Sequence, residues 1–160
     1  MTLEEMFGLK GRVALVTGGS RGIGRMIVEG FLAAGIDRVY ITARKGGELH
    51  EAAAELGDKV IPIQGDISTM AGIEELVREI SAKEGKLDIL VNNAGAAWGN
   101  DFEDFPEEGW DKVMDLNVKT PFFLTQKLHD LLVAGGGHAM AAGLTITADM
   151  LDWSGVNRRV

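Results

Sequence analysis

The chain predicts an α/β fold, a truncated doubly wound parallel sheet. Three observations carry the prediction. Short apolar runs alternate with stretches of helical periodicity from residue 12 to Leu132, and that alternation builds βαβ units on a parallel sheet. A glycine-rich turn, Thr17-Gly-Gly-Ser-Arg-Gly-Ile-Gly24, separates the first apolar run from the first helical pattern. Pro62 lies inside the third apolar run, Val-Ile-Pro-Ile. Proline cannot donate to a sheet ladder and is confined to edges. Parallel crossovers are right-handed, and in the strand order 3-2-1-4 the third strand is the edge, so the local rule and the topology agree.

The elements run in order along the chain. Residues 12–18 read as the first strand. A helix over 21–34 keeps Ile23, Ile27, Phe31 and Ala34 on one face, and Gly35 stops it. Residues 37–42 are the second strand, and 48–56 an alanine-rich helix ended by Gly57. Residues 59–64 are the third strand. The span 68–83 is a helix with Ile73, Leu76, Val77 and Ile80 on one stripe and Ser68 as N-cap. Leu87-Asp-Ile-Leu-Val91 is the fourth strand. A long helix over 107–132 aligns Trp110, Val113, Met114, Asn117, Pro121, Leu124 and Leu128 on one stripe, expected to pack against the sheet.

Past Leu132 the regularity fails at Val-Ala-Gly-Gly-Gly. The chain therefore divides into a Rossmann-type domain at 1–133 and an atypical tail at 134–160. Within the tail, residues 143–148 have β character and are expected to dock beside strand 4 as a substitute fifth strand. Their alternation suits a half-exposed edge. An uncovered strand 4 would present an apolar edge, so self-association through that edge and through the outer face of the long helix, with Phe122 and Phe123, is expected.

A chain of 160 residues fits one domain. The net charge of −8 argues against nucleic acid or an anionic membrane as partner. The absence of cysteine excludes disulfides and thiolate metal sites. The acidic N-terminus lacks a signal-peptide pattern, and no apolar run reaches the roughly 20 residues that span a bilayer. A cytoplasmic location is the expectation.

The chemistry concentrates at the glycine turn. Gly18, Gly22 and Gly24 permit a tight turn and close approach of a pyrophosphate to backbone N–H groups. The following helix points its positive end at the same place, and Ser20 and Arg21 add side-chain donors. Asn92-Asn93-Ala94-Gly95 follows the fourth strand directly. Strands 1 and 4 are neighbours where the winding reverses, and ligands bind at the carboxyl ends of strands at such a switch point. Asp66, just past strand 3, reaches the same edge, where a carboxylate can accept from an adenine amino group. The second strand ends Thr42-Ala43-Arg44-Lys45 with no acid to accept from a ribose 2′-hydroxyl. Arg44 can instead pair with a 2′-phosphate, and Arg21 can clamp its other side. NADP is therefore expected over NAD.

Together Thr-Gly-x-x-x-Gly-x-Gly, Asp66-Ile67 and Asn-Asn-Ala-Gly resemble the short-chain dehydrogenase/reductase family of NAD(P)-dependent oxidoreductases, over residues 8–133. The resemblance implies that Asp66 and Ile67 hold the adenine ring, that Ile23 belongs to the phosphate turn, and that Asn93, Ala94 and Gly95 line the cofactor. It also places Asn117 at the position of a proton-relay asparagine. Pro121, four residues later, lacks the N–H that would bond the Asn117 carbonyl, which frees that carbonyl for a water. The family's reaction, hydride transfer to or from a carbonyl such as a 3-oxoacyl thioester, uses a serine after the fifth strand and a Tyr-x-x-x-Lys on the next helix. Here no tyrosine follows Tyr40, no lysine follows Lys127, and Ser154 is the one serine beyond Ser81. The chain is therefore expected to bind a dinucleotide without complete catalytic machinery. Finally, Gly135-Gly-Gly-His138-Ala-Met-Ala-Ala-Gly143 resembles the glycine-rich histidine motif of DHH-type phosphoesterases. Two readings of the tail stay open: a join between unrelated segments, or a diverged reductase-like protein in which His138 is a surface or turn residue. No metal site is expected.

Overall fold

The computed structural model describes Thr2, residues 6–136, and the strand segments 138–141 and 144–147. Four strands form the parallel body of the sheet: β1 (Val13–Thr17), β2 (Arg38–Ala43), β3 (Val60–Gln64) and β4 (Ile89–Asn92). With β5 (His138–Ala141) and β6 (Leu144–Thr147) the order is β3-β2-β1-β4-β5-β6. β3 is an edge, as Pro62 requires. Pairing is in register from Val13↔Arg38 to Thr17↔Thr42 between β1 and β2, and from Ala14↔Ile89 to Val16↔Val91 between β1 and β4.

Alternation along β1 shows why the strand reads as a continuous apolar run. Val13 and Leu15 enter one core and Ala14 and Val16 the other, so both faces are buried, as a helix-covered parallel sheet demands. On the second face lie α1 (Gly22–Ala33) and α2 (Gly46–Leu56), through Val28, Leu49 and Ala53. On the first lie α3 (Met70–Ser81), through Ile73, Leu76 and Ile80, and the helical segment that follows β4, through Leu124, Leu128 and Leu132.

α1 stops at Gly35 for a physical reason. Gly35 has φ +82°, its N–H bonds the Leu32 carbonyl at 3.0 Å, and the Ile36 N–H bonds the Phe31 carbonyl at 3.1 Å. This is the left-handed C-terminal motif that satisfies the last helical carbonyls, and Ile36 is then buried. α3 is capped by Thr69, whose Oγ1 accepts from the Gly72 N–H at 3.1 Å. Ser68, expected in that role, instead turns back: its N–H and hydroxyl both donate to Asp66 Oδ1, at 3.1 and 2.7 Å.

The long helix departs from the expected single stripe. It consists of α4 (Glu107–Met114), one π-helical turn (Asp115–Lys119), α5 (Thr120–Lys127) and, after Leu128, α6 (His129–Gly135). The extra residue of a π turn rotates the residues before it by about 100° relative to those after it. Leu124 and Leu128 are therefore buried, while Trp110 is 58% exposed and Asn117 is exposed. Asn117 thus leaves the sheet-facing side on which its spacing placed it. Phe123 packs against the core, edge-on to Phe122, which is 62% exposed.

The tail supplies a fifth strand, but not from the segment expected. β5 (His138–Ala141) takes the place beside β4, parallel, with Ile89↔His138, and β6 pairs antiparallel to β5 as the outer strand. β4 is therefore covered on both sides, which removes the open edge anticipated for self-association. His138 stands in a strand rather than a turn. Ser154 and residues 148–160 lie outside the described residues.

At the amino ends of the strands, Asp88 is buried and accepts three hydrogen bonds: Arg12 Nη1 at 2.8 Å, Lys86 Nζ at 3.0 Å and the Val13 N–H at 2.9 Å. Burial pushes its carboxyl upward, but the bonds from Arg12, Val13 and Lys86 outweigh this and hold it below the usual carboxylate range.

Candidate functional site

The carboxyl ends of β1, β2, β3 and β4 open into one cleft of about 400 Å³. Its lining gathers every residue predicted from sequence to touch a dinucleotide: Gly18, Ser20, Arg21, Gly22, Ile23 and Gly24 from the glycine turn, Arg44 after β2, Asp66 and Ile67 after β3, and Asn93, Ala94 and Gly95 after β4. Sequence reasoning missed Thr42, Ala43, Lys45, Glu48, Gly65 and Leu116. Thr42, Ala43, Lys45 and Gly65 adjoin predicted residues, so strand-end position alone was the available signal. Glu48 and Leu116 come from helical segments and gave none.

The glycine turn is held shut from behind. Gly18 has φ +67°, and its N–H donates to the Thr42 carbonyl at 2.9 Å. A Cβ at Gly24 would stand 2.1 Å from the Gly18 carbonyl oxygen and 2.5 Å from Asn93 Nδ2, so no side chain fits. Thr17 ties the two loops together: its Oγ1 accepts from the Asn93 and Ala94 N–H groups, at 3.0 and 2.9 Å. Asn93, expected to face a ligand, spends its amide on the Thr17 and Gly18 carbonyls at 2.9 and 3.3 Å. It lines the cleft and also fixes the turn.

The residues present fit a pyrophosphate. The N-cap of α1 is Arg21, in extended conformation, and it makes no side-chain cap; no acid occupies the first turn. The leading N–H groups of a helix lack intrahelical partners, and here Gly22, Ile23 and Gly24 all line the cleft. Such a terminus favours an anion. At the outer end, Arg21 and Arg44 are exposed cleft residues, and Arg44 has no ion-pair partner among the described residues. Asp66 is exposed, with Oδ1 occupied by Ser68. Ile67 is buried in the core, and its carbonyl accepts from Thr120 Oγ1 at 2.5 Å. It supports the cleft floor more than it presents a side chain.

Asn117 sits beside Gly95. Its Oδ1 accepts from the Ala96 N–H and its Nδ2 donates to the Ala96 carbonyl, both at 2.8 Å. This pair clamps the loop after β4 to the π turn. Tyr40, by contrast, is wholly buried in mid-strand and donates to Glu84 at 2.6 Å. Burial, then the Glu84 carboxylate, push its hydroxyl up to about 12. A group so reluctant to ionise, buried and not part of the cleft lining, cannot act as its acid or base. Among the described residues no group of three His, Asp or Glu side chains could hold a metal, and no helix is long and apolar enough to cross a membrane.

Strand order, switch-point cleft and uncapped glycine turn define an α/β domain of the Rossmann type. The chain belongs to the short-chain dehydrogenase family, whose family model matches residues 12–142. The chain is 48% identical, over 134 residues, to the rhamnolipids biosynthesis 3-oxoacyl-[acyl-carrier-protein] reductase of Pseudomonas aeruginosa, covering 81% of this chain and 51% of that protein. It is 36% identical to the 2-dehydro-3-deoxy-D-gluconate 5-dehydrogenase of Escherichia coli, covering 93% and 58%. Among solved structures, the RhlG/NADP active-site complex of Pseudomonas aeruginosa superimposes with a TM-score of 0.79 at 40% identity, over 90% of this chain and 61% of that one. The L-sorbose reductase of Gluconobacter frateurii, complexed with NADPH and L-sorbose, gives 0.79 at 34% identity, over 84% and 53%. The chain spans about half the length of the curated relatives it matches.

Proposed function

We propose that this chain is the NADP(H)-binding part of a short-chain reductase, and that by itself it binds the cofactor without turning over a substrate. One observation carries the reading: a single cleft at the switch point gathers the glycine turn, an uncapped helix terminus and Arg44, which has no ion-pair partner among the described residues. The N–H groups of Gly22, Ile23 and Gly24 would hold the pyrophosphate. Arg21 and Arg44 would hold the 2′-phosphate, Asp66 would accept from the adenine amino group, and Ala94 and Gly95 would flank the nicotinamide end. NAD, lacking the phosphate, would bind less tightly.

The bound group would supply a hydride. A 3-oxoacyl thioester is the substrate class supported best, since the 48% identical relative is a 3-oxoacyl reductase. Asn117 would keep the relay position, its side chain positioning the Ala96 loop. The acid and base are another matter. Tyr40 is the one tyrosine of these 160 residues, and its burial excludes it. Acid–base help is typically worth about 10²–10⁴-fold, so turnover by this chain alone is not expected.

In this reading the tail from residue 134 serves the sheet by supplying β5 and β6, and its glycine–histidine stretch has no phosphoesterase role. The protein is cytoplasmic, takes neither nucleic acid nor membrane as partner, and self-associates through the long helix, where Phe122 is exposed. Fluorescence titration with NADPH, and with NADH in parallel, tests the central point. Saturable binding that prefers NADPH is the expected result. A folded chain that binds neither would overturn the reading.

A further inference from the structure

Glu48 is a cleft residue that the phosphate-binding reading leaves unused. It lies in the first turn of α2 and faces two cations across the mouth of the cleft. One carboxylate oxygen stands 3.9 Å from Arg21 Nη1, and the other 3.3 Å from Lys45 Nζ. The two cations come from different loops: Arg21 follows β1 and Lys45 follows β2. Arg44, next to Lys45 in the chain, lines the same opening. The carboxylate therefore occupies the position of an anion among the cations best placed to receive a phosphate.

We propose that Glu48 is a specificity-determining residue, an internal anion that competes with the cofactor's 2′-phosphate for Arg21 and Lys45. The inference rests on the NADP(H) reading of the cleft. Two opposite effects are in play, and their sizes decide the sign. Glu48 could preorganise the cations and so assist binding. But Arg21, Lys45 and Glu48 are largely exposed, the Arg21 pair is too long for a hydrogen bond, and exposed pairs hold side chains weakly. Against this, an incoming phosphate monoester brings between one and two negative charges at neutral pH. It must sit beside a carboxylate already within 4 Å of Arg21, one of its partners, and of Lys45, the neighbour of the other. Repulsion between the anions therefore outweighs preorganisation, and Glu48 holds down the preference for the 2′-phosphorylated nucleotide. The ribose hydroxyl of NAD(H) brings no charge there, so Glu48 leaves NAD(H) almost untouched.

The test compares the wild type with Glu48→Gln in fluorescence titrations with NADPH and NADH, at low and at physiological salt. Glutamine keeps the size and the helix-start position of the side chain, and a thermal melt confirms that the variant is folded. Glu48→Ala serves as the second variant. The expected result is a roughly three- to tenfold tighter Kd for NADPH, with that for NADH within about twofold, and a gain that shrinks as salt rises. An NADPH Kd that is unchanged or weaker in both variants, while the wild type binds NADPH, overturns the role of Glu48 and spares the NADP(H) reading. An equal gain for both nucleotides also overturns it, because the effect would then not act at the 2′-phosphate. A wild type that binds neither nucleotide overturns both.

Discussion

Replacing Asp88 with asparagine isolates the lock at the amino ends of the strands. Asp88 joins β1 to β4 through the Val13 N–H and gathers Arg12 and Lys86 over the sheet. An asparagine in its place would keep the shape but present one acceptor oxygen and an amide that faces donors. Leaving one buried N–H unpaired costs about 1–3 kcal/mol. The two cations are 46% and 42% exposed against 1% for Asp88, so water recovers most of their loss and their pairs are discounted to about 1 kcal/mol together. The sum is about 3 kcal/mol. At about 2–4 °C per kcal/mol for a chain of this size, Asp88→Asn should melt roughly 6–12 °C below the wild type at pH 7. The pH dependence has a definite sign. The carboxyl is depressed below 3.8 in the folded chain, so its contribution is complete above the unfolded value and is lost as pH falls through the lower, folded one. The gap between wild type and variant should therefore hold steady from pH 7 to about pH 5 and narrow below about pH 4. Urea denaturation at a series of pH values measures it. A variant within about 0.5 kcal/mol of wild type at pH 7 would refute the accounting, and a gap that widens in acid would refute the sign.

Three further substitutions separate binding from folding. Gly24→Ala should abolish NADPH binding, because its methyl would strike the Gly18 carbonyl and the Asn93 amide; unaltered titration curves would contradict the close approach. Arg44→Ala should weaken NADPH binding about tenfold and NADH binding little, a loss of one charge-assisted phosphate contact, with no change in melting temperature. Gly35→Ala should lower stability by about 1–2 kcal/mol, since a Cβ at φ +82° is strained, and should leave nucleotide affinity unchanged; equal melting temperatures would refute the strain argument.

Most of the cleft was legible because three local rules converge on one edge of the sheet. Glycine spacing marked the turn, Pro62 fixed β3 as a rim, and strand order then brought Asn93 beside Gly18. The parts that stayed hidden depended on contacts distant in sequence. His138-Ala-Met-Ala has no β-branched residue, so propensity gave no reason to prefer it over Leu-Thr-Ile-Thr as the neighbour of β4. Strand preference reflects packing surroundings more than composition. The choice between Ser68 and Thr69 as cap turned on Asp66, which takes the serine into its own turn. The stripe through Trp110 and Asn117 failed because a fixed 3.6-residue period cannot register the π turn at 115–119.

The hydroxyl of Thr17 also bears on thermodynamics. Because one side chain receives N–H groups from the loop after β4 and belongs itself to the strand before the glycine turn, the two walls of the cleft floor cannot move apart independently. The conformational entropy of setting their relative position is lost when the chain folds, not when a ligand arrives. The rim side chains of Arg21, Lys45 and Glu48 are joined instead by exposed ion pairs, which hold side chains weakly. Substitutions on the rim can therefore retune which nucleotide is preferred at little cost to folding, whereas the floor admits change only at the expense of the sheet.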